Sequence, residues 1–197
     1  MKRAINYSRP WYAKAISLLP DQINGMIIEL GSGNKELAAL TKTKIKNLTM
    51  TDIAGDKDIM KADFNHQLPF KSSSFTGAIS LEVIEHLINH ELFLKEIHRI
   101  LKSKGWLIIS TPNISWWGYR LMALIGQPPK KEGYHLRFFT DKFLSNLLIR
   151  KGFIIEKKAS FTTLPIINRF LYKPIYPVIN FWPNFLAQDL VYLCRKK

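Results

Sequence analysis

The sequence predicts an α/β fold, a three-layer sandwich of helix, sheet and helix. Short apolar runs alternate with stretches of helical periodicity along most of the 197 residues, the pattern of a mostly parallel sheet covered on both faces. The first of these runs, Met26-Ile27-Ile28-Glu29-Leu30, leads straight into Gly31-Ser32-Gly33. A glycine turn at the carboxyl end of a strand is where an open α/β sheet receives a ligand. The length suits one domain with a substantial core, so residues 1–197 are read as a single unit.

Taken in order, residues 9–19 form an opening helix, with Ser8 as its cap and Pro10 in its first turn. Residues 25–30 make the first strand, and 34–42 start the helix behind the glycine turn. Strands follow at 47–53, at 58–64 (a short one) and at 77–83. Residues 90–104 are helical: Phe93, Ile97, Ile100 and Leu101 fall on one face, lysines crowd the end and Gly105 stops it. A fifth strand at 105–111 ends before Pro112. Thr140 caps the next helix, whose apolar face is Phe143, Leu144, Leu147 and Leu148. Residues 152–161 and 189–196 are the last two strands. Two insertions interrupt the alternation, 113–139 and 162–186, both rich in aromatics, prolines and positive charge.

Hydrophobic residues make up 47% and charged residues 22%, a globular balance. Cys194 is the single cysteine, so neither an intrachain disulfide nor a cysteine zinc cluster can form, and a reducing compartment is the default. No apolar run reaches the roughly 18 residues of a membrane span, and the first residues lack the apolar core of a secretory signal. A cytoplasmic location is expected, with peripheral attachment at the inner membrane face as a variant. The net charge of +14 suits an anionic membrane surface or nucleic acid. The lysines are nevertheless scattered, as on an ordinary solvated surface.

The glycine turn is not a dinucleotide fingerprint, because Glu36 stands where G-x-G-x-x-G needs its third glycine and Glu29 would repel a pyrophosphate. There is no phosphate loop either. A carboxylate beside such a turn suits an ammonium group. Asp52, about twenty residues on at the end of the second strand, suits ribose hydroxyls, and Asp63, after the third, suits an adenine amine. An amino acid, a ribose and an adenine together make S-adenosylmethionine.

The segments IIELGSGN, TMTDI, KADFNHQLPFKSSSFTGAISLEVIEHL, FLKEIHRILKSKGWLIISTPN and HLRFFTDKFLSNLLIRKGF occur in that order within residues 26–153. Together they resemble class I S-adenosylmethionine-dependent methyltransferases, of the broad group that includes ubiquinone-pathway enzymes. The resemblance implies a Rossmann-like fold with a mostly parallel sheet and a final antiparallel strand, and S-adenosylmethionine as cofactor. It places Gly31, Ser32 and Gly33 along the cofactor, Glu29 near its amino group, Asp52 at the ribose, Asp63 at the adenine amine and Phe64 beside the base. Leu81 and Glu82 would pass along the methionine moiety. Two positions depart from the pattern: Lys35 stands where a third glycine is common, and Thr76 where an acid is common.

Methyl transfer is an in-line displacement, so alignment is the protein's main contribution, about 7–11 kcal/mol at best. A hydroxyl acceptor must also lose a proton. His86, with Glu85 beside it, is the expected catalytic group, against the competing role of a histidine that only orients its loop. Glu82, Glu85 and His86 spell E-x-x-E-H, which on a helical turn would share one face as a divalent metal needs. The same letters occur in methyltransferases without metal, and no metal is assigned. His135 and Arg137, in YHLRFF, would contact the acceptor or pin the insertion to the domain.

Both insertions are expected to overhang the methyl group. An apolar lid over a small or lipid-like substrate ranks first for them, an anionic membrane interface second and nucleic acid third, because aliphatics outnumber charges. The expected activity is methyl transfer to a small or lipid-like acceptor, with oxygen favoured. The alternatives are a nucleic-acid methyltransferase and a non-catalytic cofactor-binding regulator.

Overall fold

At the centre lies β1 (Ile27–Leu30), four residues whose side chains are all buried. A fully buried run of this kind, apolar but for Glu29, belongs to a parallel strand covered on both faces. The computed structural model describes residues 10–128, 135–162, 178–179 and 181–197. β1 pairs in parallel with β2 (Leu48–Asp52) and β4 (Phe75–Leu81), while β3 (Met60–Lys61) extends the sheet beyond β2 and β5 (Leu101–Pro112) beyond β4. β7 (Asp189–Lys196) runs antiparallel between β5 and β6 (Phe153–Lys158). Among the described residues the sheet has seven strands, in the order β3-β2-β1-β4-β5-β7-β6. The chain switches direction of growth between β1 and β4, so the glycine turn after β1 opens at a topological switch point.

Strand alternation sends neighbouring side chains to opposite faces. On one face Ile27, Ile108 and Val191 pack with Tyr12 and Leu18 of α1 (Pro10–Leu18) and Leu37 of α2 (Glu36–Thr41). On the other, Ile28, Leu107 and Tyr192 meet Phe93 and Ile97 of α3 (His90–Ile100) and Leu144 of α5 (Asp141–Arg150). Each fully buried aliphatic contributes about 1.5–3 kcal/mol. Cys194 lies in the second cluster, and burial pushes its thiol up to about 12, which leaves it inert. The Tyr192 hydroxyl and the Lys158 ammonium both donate to Asp141, tying the start of α5 to the sheet.

Thr140 does cap α5, its hydroxyl accepting from the Phe143 amide at 3.2 Å. Four other expectations change. The helix expected over 90–104 stops at Ile100, because the Ser73 and Ser74 amides take the carbonyls of Arg99 and Ile100. Leu101 is already extended and pairs with Phe75, residues 102–105 bulge out, and pairing resumes at Trp106 opposite Gly77. The third strand shrinks to two residues, since the Asp56 carboxylate accepts the Asp58 and Ile59 amides in a local turn. Phe143 is 43% exposed, so the buried face of α5 is Leu144, Leu147 and Leu148. Among the described residues the insertions include α4 (Trp117–Leu124) and the short α6 (Pro183–Leu186). Ser8, residues 129–134 and most of the second insertion (163–177 and 180) lie outside the described residues.

Candidate cofactor and acceptor site

The turn after β1 is built on backbone. The amides of Gly31 and Ser32 both donate to the Thr51 carbonyl, at 2.9 and 3.0 Å. Gly31 has φ 92, and a Cβ there would stand 2.3 Å from Val83 Cγ2, so only glycine lets the β1 and β4 loops close on each other. The Gly33 amide donates to Asp52 Oδ2 at 3.0 Å, and the Ala54 amide to Oδ1 at 3.2 Å. Each carboxylate oxygen keeps a lone pair for a ribose hydroxyl. Lys35, where a third glycine is common, takes the left-handed φ of 63 that glycine would adopt easily. Ion pairs with Asp56 at 3.0 Å and Asp58 at 2.8 Å accompany it, though such half-exposed pairs contribute little.

This turn floors a cleft of about 300 Å³. Of the residues expected at the cofactor or in catalysis, Gly31, Asp52, Asp63, Phe64, Glu82 and His86 line it. Asp63 accepts from the Asn65 amide at 2.9 Å and faces His66 at 3.0 Å, and these bonds, the amide first, hold its carboxyl below the usual range. Phe64 is 5% exposed and packs on Phe93 with ring centroids 5.5 Å apart, so it is chiefly a core residue that shows one edge to the cleft.

Glu29, Ser32, Gly33, Leu81 and Glu85 are not on the cleft wall. Glu29 is 3% exposed, behind the turn. Burial pushes its carboxyl up to about 7, Asp52 acts in the same direction, and the Ser32 hydroxyl opposes them without reaching hydrogen-bonding geometry. Among the described residues Glu29 Oε2 and Ser32 Oγ are buried and find no hydrogen-bond partner. An orphaned carboxylate oxygen beside an orphaned hydroxyl, behind a side-chain-free turn, fits a ligand that brings its own donors, such as an ammonium group.

Residues 6–158 match a family profile described as "Methyltransferase domain". The chain belongs to the class I S-adenosylmethionine-dependent methyltransferases. It is 31% identical over 97 residues to a probable S-adenosylmethionine-dependent methyltransferase of Mycobacterium tuberculosis, covering 49% of this chain and only 33% of that protein. It is 26% identical over 176 residues to a ubiquinone biosynthesis O-methyltransferase of Bartonella quintana, covering 77% of this chain and 68% of that one. An S-adenosylmethionine-dependent methyltransferase from Archaeoglobus fulgidus superposes with TM-score 0.68 at 17% identity, covering 94% of this chain and 93% of that one. One from Mesorhizobium loti gives 0.67 at 18%, covering 93% and 96%. These structures share the fold.

Within this methyltransferase, the E-x-x-E-H letters do not form one helical face. Glu82 has φ 56 and precedes the short 3-10 turn Ile84–His86, and its carboxylate accepts from Ser110 Oγ at 2.7 Å. Glu85 is 1% exposed and accepts from Thr111 Oγ1 at 3.1 Å, while its carbonyl takes the amides of Leu136 and Arg137. Those bonds strap the end of the first insertion to the β4–α3 loop. Arg137 adds a donation to the Ile88 carbonyl at 3.0 Å, and His135 packs edge-on against His86 with centroids 4.9 Å apart.

Sequence reasoning missed Ile53, which lines the cleft beside Asp52 while 60% exposed, and Asn65, Val83 and Leu87. An apolar residue just past the ribose-side acid was a readable signal for Ile53. Asn65 carries its own: its side chain accepts the Ile88 and Asn89 amides at 2.9 and 3.1 Å and donates to Asp63, bridging the two loops. The apolar side chains of the first insertion divide in two. Trp116 donates to Thr162 Oγ1 at 3.1 Å and is an anchor, whereas Leu124 and Ile125 at the end of α4 are 81% and 75% exposed. Phe181 and Trp182 are 88% and 59% exposed beside α6, which adjoins α4 through Arg120 lying over the Phe185 ring at 5.7 Å.

Proposed function

We propose that this methyltransferase transfers a methyl group to an oxygen of a small, lipid-like acceptor. The observation that carries the reading is the position of His86. It lines the cofactor cleft, is 40% exposed at its side chain, and stands next to a buried carboxylate whose Oε1 lies 3.9 Å from His86 Nε2. Bound S-adenosylmethionine supplies a methyl group made electrophilic by sulfonium charge. The chain's own residues then have two tasks. Asp52, Asp63 and the Gly31–Gly33 turn fix the ligand's orientation, and His86 with Glu85 stands where an acceptor hydroxyl loses its proton. The relatives named as ubiquinone biosynthesis O-methyltransferases support oxygen as the acceptor atom.

Calorimetry and a turnover assay test this reading. Asp52→Ala should weaken S-adenosylmethionine binding by about 1.5–3 kcal/mol through loss of a charged acceptor. His86→Ala should cut turnover about 10²–10⁴-fold with cofactor affinity nearly unchanged. Equal loss of both by His86→Ala would reduce His86 to a loop-orienting residue.

The lipid-like acceptor is supported by the exposed apolar edge. Leu121, Leu124 and Ile125 on and just after α4, and Phe181 and Trp182 just before α6, are exposed, Arg120 lies over the Phe185 ring, and neither helix carries an acid, a composition suited to an anionic lipid surface. Among the described residues no helix is long and apolar enough to cross a membrane. The protein is expected to sediment with anionic liposomes and much less with neutral ones. Phe181→Ser with Trp182→Ser should lower the bound fraction more than removal of two distant lysines, each of which adds only about 1 kcal/mol near anionic lipid. A steep linear fall of log affinity with log salt, on RNA rather than liposomes, would instead indicate nucleic acid.

A further inference from the structure

We infer that Asn65 is a positioning residue that joins the adenine-side acid to the loop carrying His86, so that cofactor binding organises the acceptor edge. Its side-chain amide stands between an anion and two backbone donors. Nδ2 donates to Asp63 Oδ1 at 3.3 Å, and Oδ1 accepts the amides of Ile88 at 2.9 Å and Asn89 at 3.1 Å. The Asn65 backbone amide adds a second donation to the same Asp63 oxygen, at 2.9 Å.

This arrangement fixes which way the side-chain amide faces. Turned over, it would aim its NH2 group at two N–H donors and its carbonyl at a carboxylate. The charge on Asp63 therefore selects the orientation that serves the loop, and each bond in such a chain polarises the next. The receiving end is the start of α3, where the Asn89 side chain accepts from the Leu92 amide at 3.2 Å. The peptide joining Ile88 to Asn89 is held on its carbonyl by Arg137 and on its N–H by Asn65. His86 lies just before it on the same loop.

The inference rests on the proposed place of Asp63 at the adenine amine. That amine would bring the carboxylate a further donor, fixing Asp63 and with it the amide of Asn65. Asp63 and Asn65 both line the cleft, whereas Ile88 and Asn89 do not. The cofactor thus has Asn65 as its link to their amides, and the binding order that follows is cofactor first, acceptor second.

Amide hydrogen exchange of the folded protein, with and without S-adenosylhomocysteine, tests this without an acceptor. In the wild type the ligand should slow exchange at Ile88 and Asn89 by about five- to tenfold. Asn65→Asp retains an acceptor for both amides but sets a like charge against Asp63. Slow exchange without ligand should then persist, and the ligand-dependent gain should vanish. Asn65→Ala removes both ends of the link, so both amides should exchange fast in either state, with the fold verified by circular dichroism. Because coupling is reciprocal, Asn65→Ala should also lose S-adenosylhomocysteine affinity by about the factor of protection lost. A role confined to folding would alter stability and leave the ligand-dependent difference in place. A wild-type gain in either variant, or no gain in the wild type, overturns the inference. Asp63→Ala reports separately on the adenine contact. Unchanged affinity there would remove the premise and the inference with it, whereas lost affinity beside a wild-type gain in Asn65→Ala would overturn the role of Asn65 alone.

Discussion

Gly31→Ala should abolish measurable S-adenosylmethionine binding and lower the melting temperature by roughly 5–15 °C. Two costs add. Alanine at φ 92 is strained by about 1–3 kcal/mol. Its Cβ also meets Val83 Cγ2 at 2.3 Å, and because a β-branched neighbour is stiff at χ1, overpacking costs about 1–3 kcal/mol more. The second cost is separable. In a double-mutant cycle, Val83→Ala should recover about 1–2 kcal/mol in the Gly31→Ala background, leaving the backbone strain behind. Wild-type melting and binding by Gly31→Ala would mean that the turn does not need the close approach seen here.

Glu29→Gln should stabilise the ligand-free protein at pH 8 by about 3 kcal/mol and have little effect at pH 5. Burial, then Asp52, raise the folded carboxyl from 4.5 to about 7, so the fold retains a proton that the unfolded chain has released. The neutral form's advantage is fully present below about pH 4.5 and is lost as pH rises through 7. Each tenfold difference in acidity between the folded and unfolded carboxyl is worth about 1.4 kcal/mol. Denaturant melts from pH 5 to 8.5 measure it: the wild-type curve should fall across that window and the Glu29→Gln curve should not. An ammonium group placed near Glu29 would restore the charged form. Cofactor binding at pH 7 should therefore release about half a proton, detected by calorimetry in buffers of different ionisation enthalpy. Identical slopes in both proteins would dispose of the idea.

Those two residues are legible in the sequence alone, and the reason is local. Glu29 interrupts a short apolar strand and Gly31 follows its end in a glycine turn, and such short-range patterns specify strand, turn and burial together. The strand positions and the Thr140 cap follow from the same kind of signal. What stayed hidden was decided by partners distant in sequence. The end of α3 is set by amides from Ser73 and Ser74, and the failure of E-x-x-E-H to form one face is set by Ser110 and by the positive φ of Glu82. His135 was visible as a polar residue of interest, but only the strap across Glu85 places it at His86. Phe64 shows the converse. Its motif position pointed to the cofactor, whereas its packing on Phe93 makes it mainly core.

The antiparallel β7 has a consequence for how the molecule is made. Among the described residues β6 is joined to the sheet only through β7, which wedges between it and β5. On the ribosome β6 is therefore complete before it has anything to pair with. Residues 159–188 separate it from β7, and at roughly 5–20 residues per second they take about 1.5–6 s to synthesise. Throughout that interval the outer edge of β5 presents a row of unpaired backbone groups flanked by Leu107, Ile108 and Ile109, the kind of template on which chains stick to one another. The nascent chain is thus most exposed to misassembly just before its sheet closes, and the speed at which the second insertion emerges governs how long that hazard lasts.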